Sequence, residues 1–267
     1  MKLNIVPARM GFQWVKLGVK TFFKQPLALA GLFFMFMAAM SVLSMVPLLG
    51  NLLALALLPA ATLGLMAATH EATKGKFPMP SILITAFRAG QQQLKAMLVL
   101  GAVYAVGFLL VMGASALFDG GKFARLYLVG GSLTRETMTQ GDFQGAMWVS
   151  MLLYLPLSML FWHAPALVHW HGVAPLKSLF FSFLACARNF GAYAVFGLTW
   201  MGVFLIAGMA VTTLAALIGG PNAAGAAMFP AALLLAAMFF TSIYFTFQST
   251  FDSTDQPGLQ SPSGDTV

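Results

Sequence analysis

Four histidines are the residues of this chain whose chemistry stands out. His70 is followed directly by Glu71, and His169 and His171 are separated by one residue. Imidazole nitrogens and a carboxylate suit zinc or a similar ion, so the candidate metal ligands are His70, Glu71, His169 and His171. A His-x-His pair at a helix end, however, points its rings apart. We therefore favour the alternative, amphipathic side chains at a membrane surface plus a buried, hydrogen-bonded imidazole at His163, and expect no bound metal or cofactor.

The residues of other kinds of catalytic site are missing from the sequence. All seven acidic residues fall in predicted loops or in the C-terminal tail. No pair of carboxylates is therefore available inside a membrane for acid–base chemistry or for ion coupling. The sequence also contains no Gly-x-Ser-x-Gly elbow, Walker loop or dinucleotide fingerprint. These features predict that the chain is not an enzyme.

The composition is typical of an integral membrane protein. Of 267 residues, 60% are hydrophobic and only 8% are charged, whereas about a quarter of the residues in soluble domains are charged. The single cysteine, Cys186, excludes an intrachain disulfide. The formal charge of +7 comes from Lys and Arg at the ends of apolar blocks. Because these residues do not cluster on a soluble face, nucleic acid is not an expected partner.

Six apolar blocks predict an all-α membrane bundle of about six transmembrane helices. Each block is about 20 residues or longer, enough for a helix to cross about 30 Å of hydrocarbon. The expected spans are about 27–46, 48–69, 96–117, 146–170, 191–217 and 227–248. Residues 1–248 are thus predicted to form a single integral membrane domain, with a polar loop over residues 118–145. Residues 249–267 are polar and are predicted to form a disordered cytoplasmic tail.

Three amphipathic segments, over residues 8–25, 81–95 and 175–189, are predicted to be helices in the membrane surface. The polar side chains of the first recur at spacings of three and four and so share one helix face: Arg9, Gln13, Lys16, Lys20 and Lys24. Each segment precedes a pair of apolar segments. The chain is therefore predicted to consist of three repeats, each an interfacial helix followed by a transmembrane hairpin.

The distribution of basic residues predicts the orientation. The predicted spans place eleven Lys and Arg on the same side of the membrane as the N-terminus and three on the opposite side. The positive-inside rule then places both termini in the cytoplasm. Besides Lys2, the cytoplasmic membrane surface is expected to carry Arg9, Lys16, Lys20, Lys24, Lys74, Lys76, Arg88, Lys95, Lys177 and Arg188. Anionic lipid headgroups are the expected partners of these side chains.

Three stretches of the chain carry a resemblance to known proteins. They are the opening Val6-Pro7-Ala8-Arg9, the stretch from Trp14 to Leu29, and the run from Leu57 to Met66. These stretches are similar to those of an uncharacterised family of six-span proteobacterial inner-membrane proteins. The resemblance implies an inner-membrane location and a six-span fold. The layout alone is also similar to the membrane domain attached to some glycerophosphodiester phosphodiesterases, but the chain has no room for their catalytic domain.

Two functions remain open from the sequence. We favour a non-enzymatic scaffold or envelope-homeostasis factor that acts through helix packing and lipid contact, with membrane lipids and an unidentified membrane protein as partners. The alternative is a transporter or channel for a small or lipid-like solute, along a path lined by Ser, Thr, Asn51 and His163. A transporter should show a polar-lined cavity between the hairpins. A scaffold should show a filled core and an exposed helix groove.

Overall fold

The computed structural model describes residues 2–46, 49–130 and 134–251, except for the side chains of residues 221 and 222. These residues form helices and short connections, and they contain no strand. The helices are α1 (Met10–Lys24), α2 (Pro26–Ser44), α3 (Gly50–Thr73), α4 (Thr85–Arg88), α5 (Gln91–Asp119), α6 (Lys122–Val129), α7 (Arg135–Thr139), α8 (Gly141–Phe161), α9 (Ala164–His171), α10 (Pro175–Arg188), α11 (Phe190–Gly220) and α12 (Ala223–Phe251).

Six helical segments are long and apolar enough to cross a membrane, which confirms the predicted all-α membrane bundle. They are α2, α3, α5, α8 together with α9, α11 and α12. They form three antiparallel hairpins: α2 with α3, α5 with α8–α9, and α11 with α12. The N-terminus and the last turn of α12 meet at one end of the bundle, where the Asn4 amide donates to the Thr250 carbonyl (2.9 Å). We name this the basic end and the opposite one the turn end.

The segment between α5 and α8, predicted as a polar loop over residues 118–145, is mostly helical. It contains α6, α7 and the first turn of α8, while residues 131–133 lie outside the described part. The buried Asp119 carboxylate explains the start of α6, because it accepts hydrogen bonds from the amides of Gly121 (2.8 Å) and Phe123 (2.7 Å). The Asn51 side-chain amide, in the first turn of α3, donates to the Leu128 carbonyl. Asn51 therefore holds two hairpins together at the turn end.

The second predicted surface helix, over residues 81–95, is wrong as a continuous helix. A 3-10 turn over Pro80–Ile84 and the short α4 occupy its first half, and α5 begins at Gln91. The break is at Gly90, whose φ of 105° is a conformation that glycine adopts without strain. Lys95 consequently belongs to the transmembrane helix α5. The polar residues between positions 81 and 95 suggested one helix because their regular spacing runs across Gly90. The later ones lie in the first turns of a transmembrane helix, where polar side chains are tolerated at the interface.

The first surface helix packs on protein rather than on lipid alone. The α1 helix lies against α11 and α12, and the Trp14 indole is fully buried and donates to the Ser249 hydroxyl (2.6 Å). Gly11 and Gly18 face the backbone at Ala192 and Ser242 so closely that a Cβ atom would overlap with it. The exposed surface of α1 carries the basic residues together with apolar ones such as Phe12. The helix is thus an integral layer of the basic end.

The last helices extend beyond the predicted boundaries. The final span was predicted to end at residue 248, but α12 continues to Phe251, and Thr250 and Phe251 are buried. The rest of the predicted tail, residues 252–267, lies outside the described residues. The chain reverses at Gly220 between α11 and α12. Among the described side chains from residue 201 to residue 236, only Ala224 is buried, so most of the turn-end half of this hairpin lies outside the packed core.

Candidate functional site

A cavity of about 470 Å³ lies between the three hairpins within the membrane-spanning layer. This volume is in the range of pockets that bind small molecules, roughly 300–1,000 Å³. All three hairpins contribute to its wall: Leu58, Pro59, Thr62, Tyr104, Tyr154, Ser158, Phe161, Trp162, Phe239, Phe240 and Ile243. Tyr154 is 40% exposed and lies in the exposed stretch 151–156 of α8, so the cavity reaches the outer surface of the bundle there. Among the described residues, no charged side chain lines it.

Two tyrosine hydroxyls form the polar centre of the cavity. The Tyr104 and Tyr154 oxygens are 3.2 Å apart, and either can be the donor. Thr62 and Ser158 add two more hydroxyls, but they donate their protons to carbonyls of their own helices, at Leu58 (2.9 Å) and Leu155 (2.7 Å). One phenol proton and several oxygen lone pairs are therefore available to a bound molecule. The site suits an apolar body that carries a hydroxyl or carbonyl group.

The cavity lies next to irregular points in two helices. Proline removes one backbone hydrogen bond from a helix interior and bends the helix. Pro59 interrupts α3 on the cavity wall, and Pro156 interrupts α8 between the cavity residues Tyr154 and Ser158. Non-regular backbone at membrane depth is tolerated only where it is buried in protein or lines a cavity. The two prolines thus lie at the same depth in the membrane as the cavity.

The hydrogen-bond ladder of the helix is interrupted at Trp162 and His163, between α8 and α9, at the edge of the cavity. In a continuous helix the His163 amide would bond to the Met159 carbonyl. Instead, the Ser182 hydroxyl lies between them, accepting from the His163 amide (2.9 Å) and donating to the Met159 carbonyl (2.7 Å). One side chain of α10 therefore satisfies both backbone groups that the break releases. The break leaves Trp162 on the cavity wall.

His163 points away from the cavity, into a buried polar cluster. Its ring is fully buried, and its Nε2 atom shares a hydrogen bond with the Tyr193 hydroxyl. The neighbouring Trp162 indole donates to the Thr246 hydroxyl (3.0 Å). His163 is thus a packing residue of the basic half and not part of the path wall predicted from the sequence, and Asn51, at the turn end, also lies outside the cavity.

The structure does not assemble the candidate metal ligands. In the described ranges, no three side chains of His, Cys, Asp or Glu come together in a group that could hold a metal ion. The His70 Nδ1 atom instead shares a hydrogen bond of 2.6 Å with the Tyr244 hydroxyl, and its ring packs on Trp170. The His171 ring packs against Phe247. His169 lies in a different environment, a surface cleft beside Glu71.

The predicted membrane-surface cations all belong to segments at the basic end. Lys74 and Lys76 follow the end of α3, Arg88 ends α4, and Lys95 lies in the second turn of α5. The others are on or next to the surface helices: Arg9, Lys16, Lys20 and Lys24 with α1, and Lys177 and Arg188 with α10. The fold thus brings segments that are far apart in sequence to one surface. Contact of these residues with headgroups stays a prediction.

Sequence reasoning missed the tyrosine pair. Tyr104 and Tyr154 are two of only five tyrosines in the chain, and both occur well inside predicted spans instead of at the interfaces where Tyr is enriched. A phenol at that depth needs a hydrogen-bond partner. This combination was the available signal, together with the prolines nearby.

The chain is 36% identical to a protein of Burkholderia thailandensis described as a probable inner membrane protein. The similarity extends over 261 residues, 97% of this chain and 96% of the other. The chain belongs to this inner-membrane protein family. It is therefore an integral, multi-pass protein of the bacterial inner membrane. No family model and no solved structure matches the chain, so the likeness in layout to the membrane domain of some phosphodiesterases stays a prediction.

Proposed function

We propose that this inner-membrane protein is a non-enzymatic transporter for a neutral, lipid-like solute, which binds in the cavity between the three hairpins. The observation that carries the proposal is the Tyr104–Tyr154 hydroxyl pair inside an otherwise largely apolar cavity of about 470 Å³. Because all three hairpins form the wall, binding is coupled to their relative positions. The broken helix α8–α9 is the element able to move, since discontinuous helices line the binding sites of many transporters.

The chemistry of the cavity defines the class of solute. A charged group is disfavoured, because none of the described side chains on the wall is charged and burying an unpaired charge costs several kcal/mol. An alcohol or ester carbonyl can accept the free phenol proton, and hydroxyl lone pairs can accept from an alcohol. The aromatic residues Phe161, Trp162, Phe239 and Phe240 provide the apolar contact. The expected solute is an acyl chain or ring system with one such group.

Native mass spectrometry of the protein extracted in a mild detergent tests the proposal. The wild type should retain a neutral lipid-like molecule. Replacing Tyr104 and Tyr154 with Phe should lower the retained fraction about tenfold, because a lost buried hydrogen bond costs about 1.4 kcal/mol. Tyr127→Phe is the matched control, since Tyr127 is exposed on α6, outside the cavity. Equal retention by the double variant and the control would refute the tyrosine site.

The same measurement examines the scaffold function, the second candidate. The observation that favours it is the turn-end half of the third hairpin, most of whose described apolar side chains are exposed. Such a surface is available for helix packing with another membrane protein. A second protein retained in stoichiometric amount, with an empty cavity, would favour the scaffold over the transporter.

We also propose that the basic end faces the cytoplasm. The excess of Lys and Arg at this end supports the orientation through the positive-inside rule. Single cysteines at Lys76 and Lys122 provide the test, with a membrane-impermeant maleimide added to intact cells. The Lys122→Cys variant should react and the Lys76→Cys variant should not. Native Cys186 will not interfere, because it is buried and burial raises the pKa of its thiol to about 12. The reverse labelling pattern would overturn the orientation.

A further inference from the structure

A second concave surface lies at the basic end, outside the hairpin cavity. It is a cleft of about 510 Å³ between the end of α3, the segment from Phe77 to Ala89, and His169 of α9. Its polar residues are Glu71, Ser81, Thr85, Arg88 and His169. Glu71 lies nine residues beyond the cavity residue Thr62 on α3, which is about 13 Å along the helix axis. The cleft is therefore a separate site and does not depend on the proposed transport function.

The charge balance of the cleft is positive. The Glu71 carboxylate is already paired, with the Lys74 ammonium at 3.3 Å and the Lys76 ammonium at 4.0 Å. Arg88 also lines the cleft, and its guanidinium has no hydrogen bond or ion pair with any described residue. Two ammonium groups thus neutralise the Glu71 carboxylate, and Arg88 adds a further positive charge to the cleft wall. An anion in the cleft would find an unused guanidinium, the side chain best suited to bidentate binding of phosphate.

Two further donors complete the set. His169 lines the cleft, and because its Nδ1 atom is enclosed by protein without a hydrogen-bond partner among the described residues, Nε2 is the ring nitrogen that can face a ligand. The Ser81 hydroxyl is exposed and makes no hydrogen bond there. By contrast, Thr85 donates its proton to the Ile82 carbonyl (2.6 Å) and can only accept. Arg88, His169 and Ser81 are therefore the groups that could hold oxygen atoms of a tetrahedral anion.

The rim of the cleft places it at headgroup depth. Phe77 and Met79 line it and are both 64% exposed. Exposed apolar side chains of this size next to cationic residues are typical of the membrane interface, where rings and thioethers contact acyl chains while the charged groups contact headgroups. The cleft thus combines apolar contact at its edge with anion-binding groups inside.

We infer that this cleft binds a phosphate group, with Arg88 as its principal ligand and His169 and Ser81 as additional donors. Phosphate chemistry has two possible sources at this depth, the headgroup of an anionic phospholipid or a soluble phosphate ester in the cytoplasm. The phosphate oxygens would displace water from Arg88, and the Lys74–Glu71–Lys76 group would contribute positive potential without direct contact.

Lipid titration of the purified full-length protein tests the inference. Phosphatidylglycerol is the probe, diacylglycerol is the phosphate-free comparison, and binding is followed by native mass spectrometry. Arg88→Gln should raise the dissociation constant for phosphatidylglycerol about tenfold, and Arg88→Lys by less, because it keeps the charge but loses the bidentate geometry. Lys177→Gln is the matched control, since it removes one exposed charge of the same end outside the cleft.

A competition with glycerol 3-phosphate distinguishes the two sources. Displacement of the lipid by millimolar glycerol 3-phosphate would support the site and show that soluble phosphate esters reach it. Arg88-dependent lipid binding that resists this competitor would support the site and assign the phosphate to a lipid headgroup. Two results would overturn the inference: equal weakening by Arg88→Gln and Lys177→Gln, which indicates general attraction to the surface, or equal affinity for diacylglycerol. Because Arg88 is exposed, its variants are expected to fold.

Discussion

The two halves of the third hairpin differ sharply, although both are built from apolar residues. At the basic end α11 and α12 are held together by side-chain hydrogen bonds, such as that from the Trp200 indole to the Ser242 hydroxyl (3.1 Å), and are covered by α1. At the turn end the hydroxyl of Thr212 donates to the carbonyl of Gly208 in its own helix, its contact across to α12 is with the weak acceptor Met228 Sδ (3.2 Å), and most side chains are exposed.

This difference shows what fixes helix packing in a membrane. Leu and Phe contact lipid tails as well as they contact another helix, so apolar surface alone does not choose a partner. Close approach at small residues and hydrogen bonds between helices do choose one. The basic-end half has both, at Gly11, Gly18, Trp14 and Trp200, whereas the turn-end half keeps small residues such as Gly202 that no neighbour approaches.

The largest expected effect comes from adding a methyl group at the close contact between α1 and α12. Gly18→Ala places a methyl group onto the backbone of Ser242, so α1 must move away from α12. We expect a loss of about 2–3 kcal/mol in the free energy of unfolding, as for overpacked cores. Unfolding in detergent titrated with SDS provides the measurement. Gly202→Ala is the control, because its methyl group would meet no atom within 4 Å. Equal effects of the two substitutions would contradict the packing argument.

Sequence patterns predicted the parts of the fold that depend on lipid as a solvent. Six spans, the end at which basic residues collect, and the helices α1 and α10 follow from apolar length and polar spacing. The tertiary position of α1 did not follow. Its apolar face is compatible with lipid or with protein, and only the glycines at positions 11 and 18 indicate close contact with another backbone.

The candidate site was less predictable for a related reason. Histidine attracted attention because its chemistry is versatile, but the ring of His163 serves packing and that of His70 bonds to Tyr244. The cavity is formed by residues from four helices that are distant in sequence, and no local spacing brings Tyr104 to Tyr154. Similarly, the break that turns Trp162 to the cavity depends on Ser182, which belongs to another helix.

The next largest effect concerns this break. Ser182→Ala removes the hydroxyl that satisfies both the His163 amide and the Met159 carbonyl. The substitution leaves the His163 amide unpaired and the Met159 carbonyl with only the weak Cys186 thiol donor (3.8 Å). An unpaired buried backbone group costs about 1–3 kcal/mol, so we expect a loss of about 2 kcal/mol in the same unfolding assay. Thr212→Ala is the control, since that hydroxyl bonds only within the turn-end half, to its own helix and to Met228. An unchanged unfolding midpoint for Ser182→Ala would show that the helix re-forms its own hydrogen bond without the hydroxyl.

The smallest effect isolates one hydrogen bond of the basic-end half. Trp14→Phe keeps an aromatic ring against Tyr193 and Phe196 but removes the donor to Ser249. We expect a loss of about 1 kcal/mol in the free energy of unfolding, part of it from the smaller ring. A double-mutant cycle with Ser249→Ala separates the two contributions. A coupling energy near zero would mean that the indole bond adds nothing, and that shape at Gly11 and Gly18 alone holds α1 in place. A coupling near 1 kcal/mol would show that hydrogen bonds between helices also distinguish the packed half from the lipid-facing half.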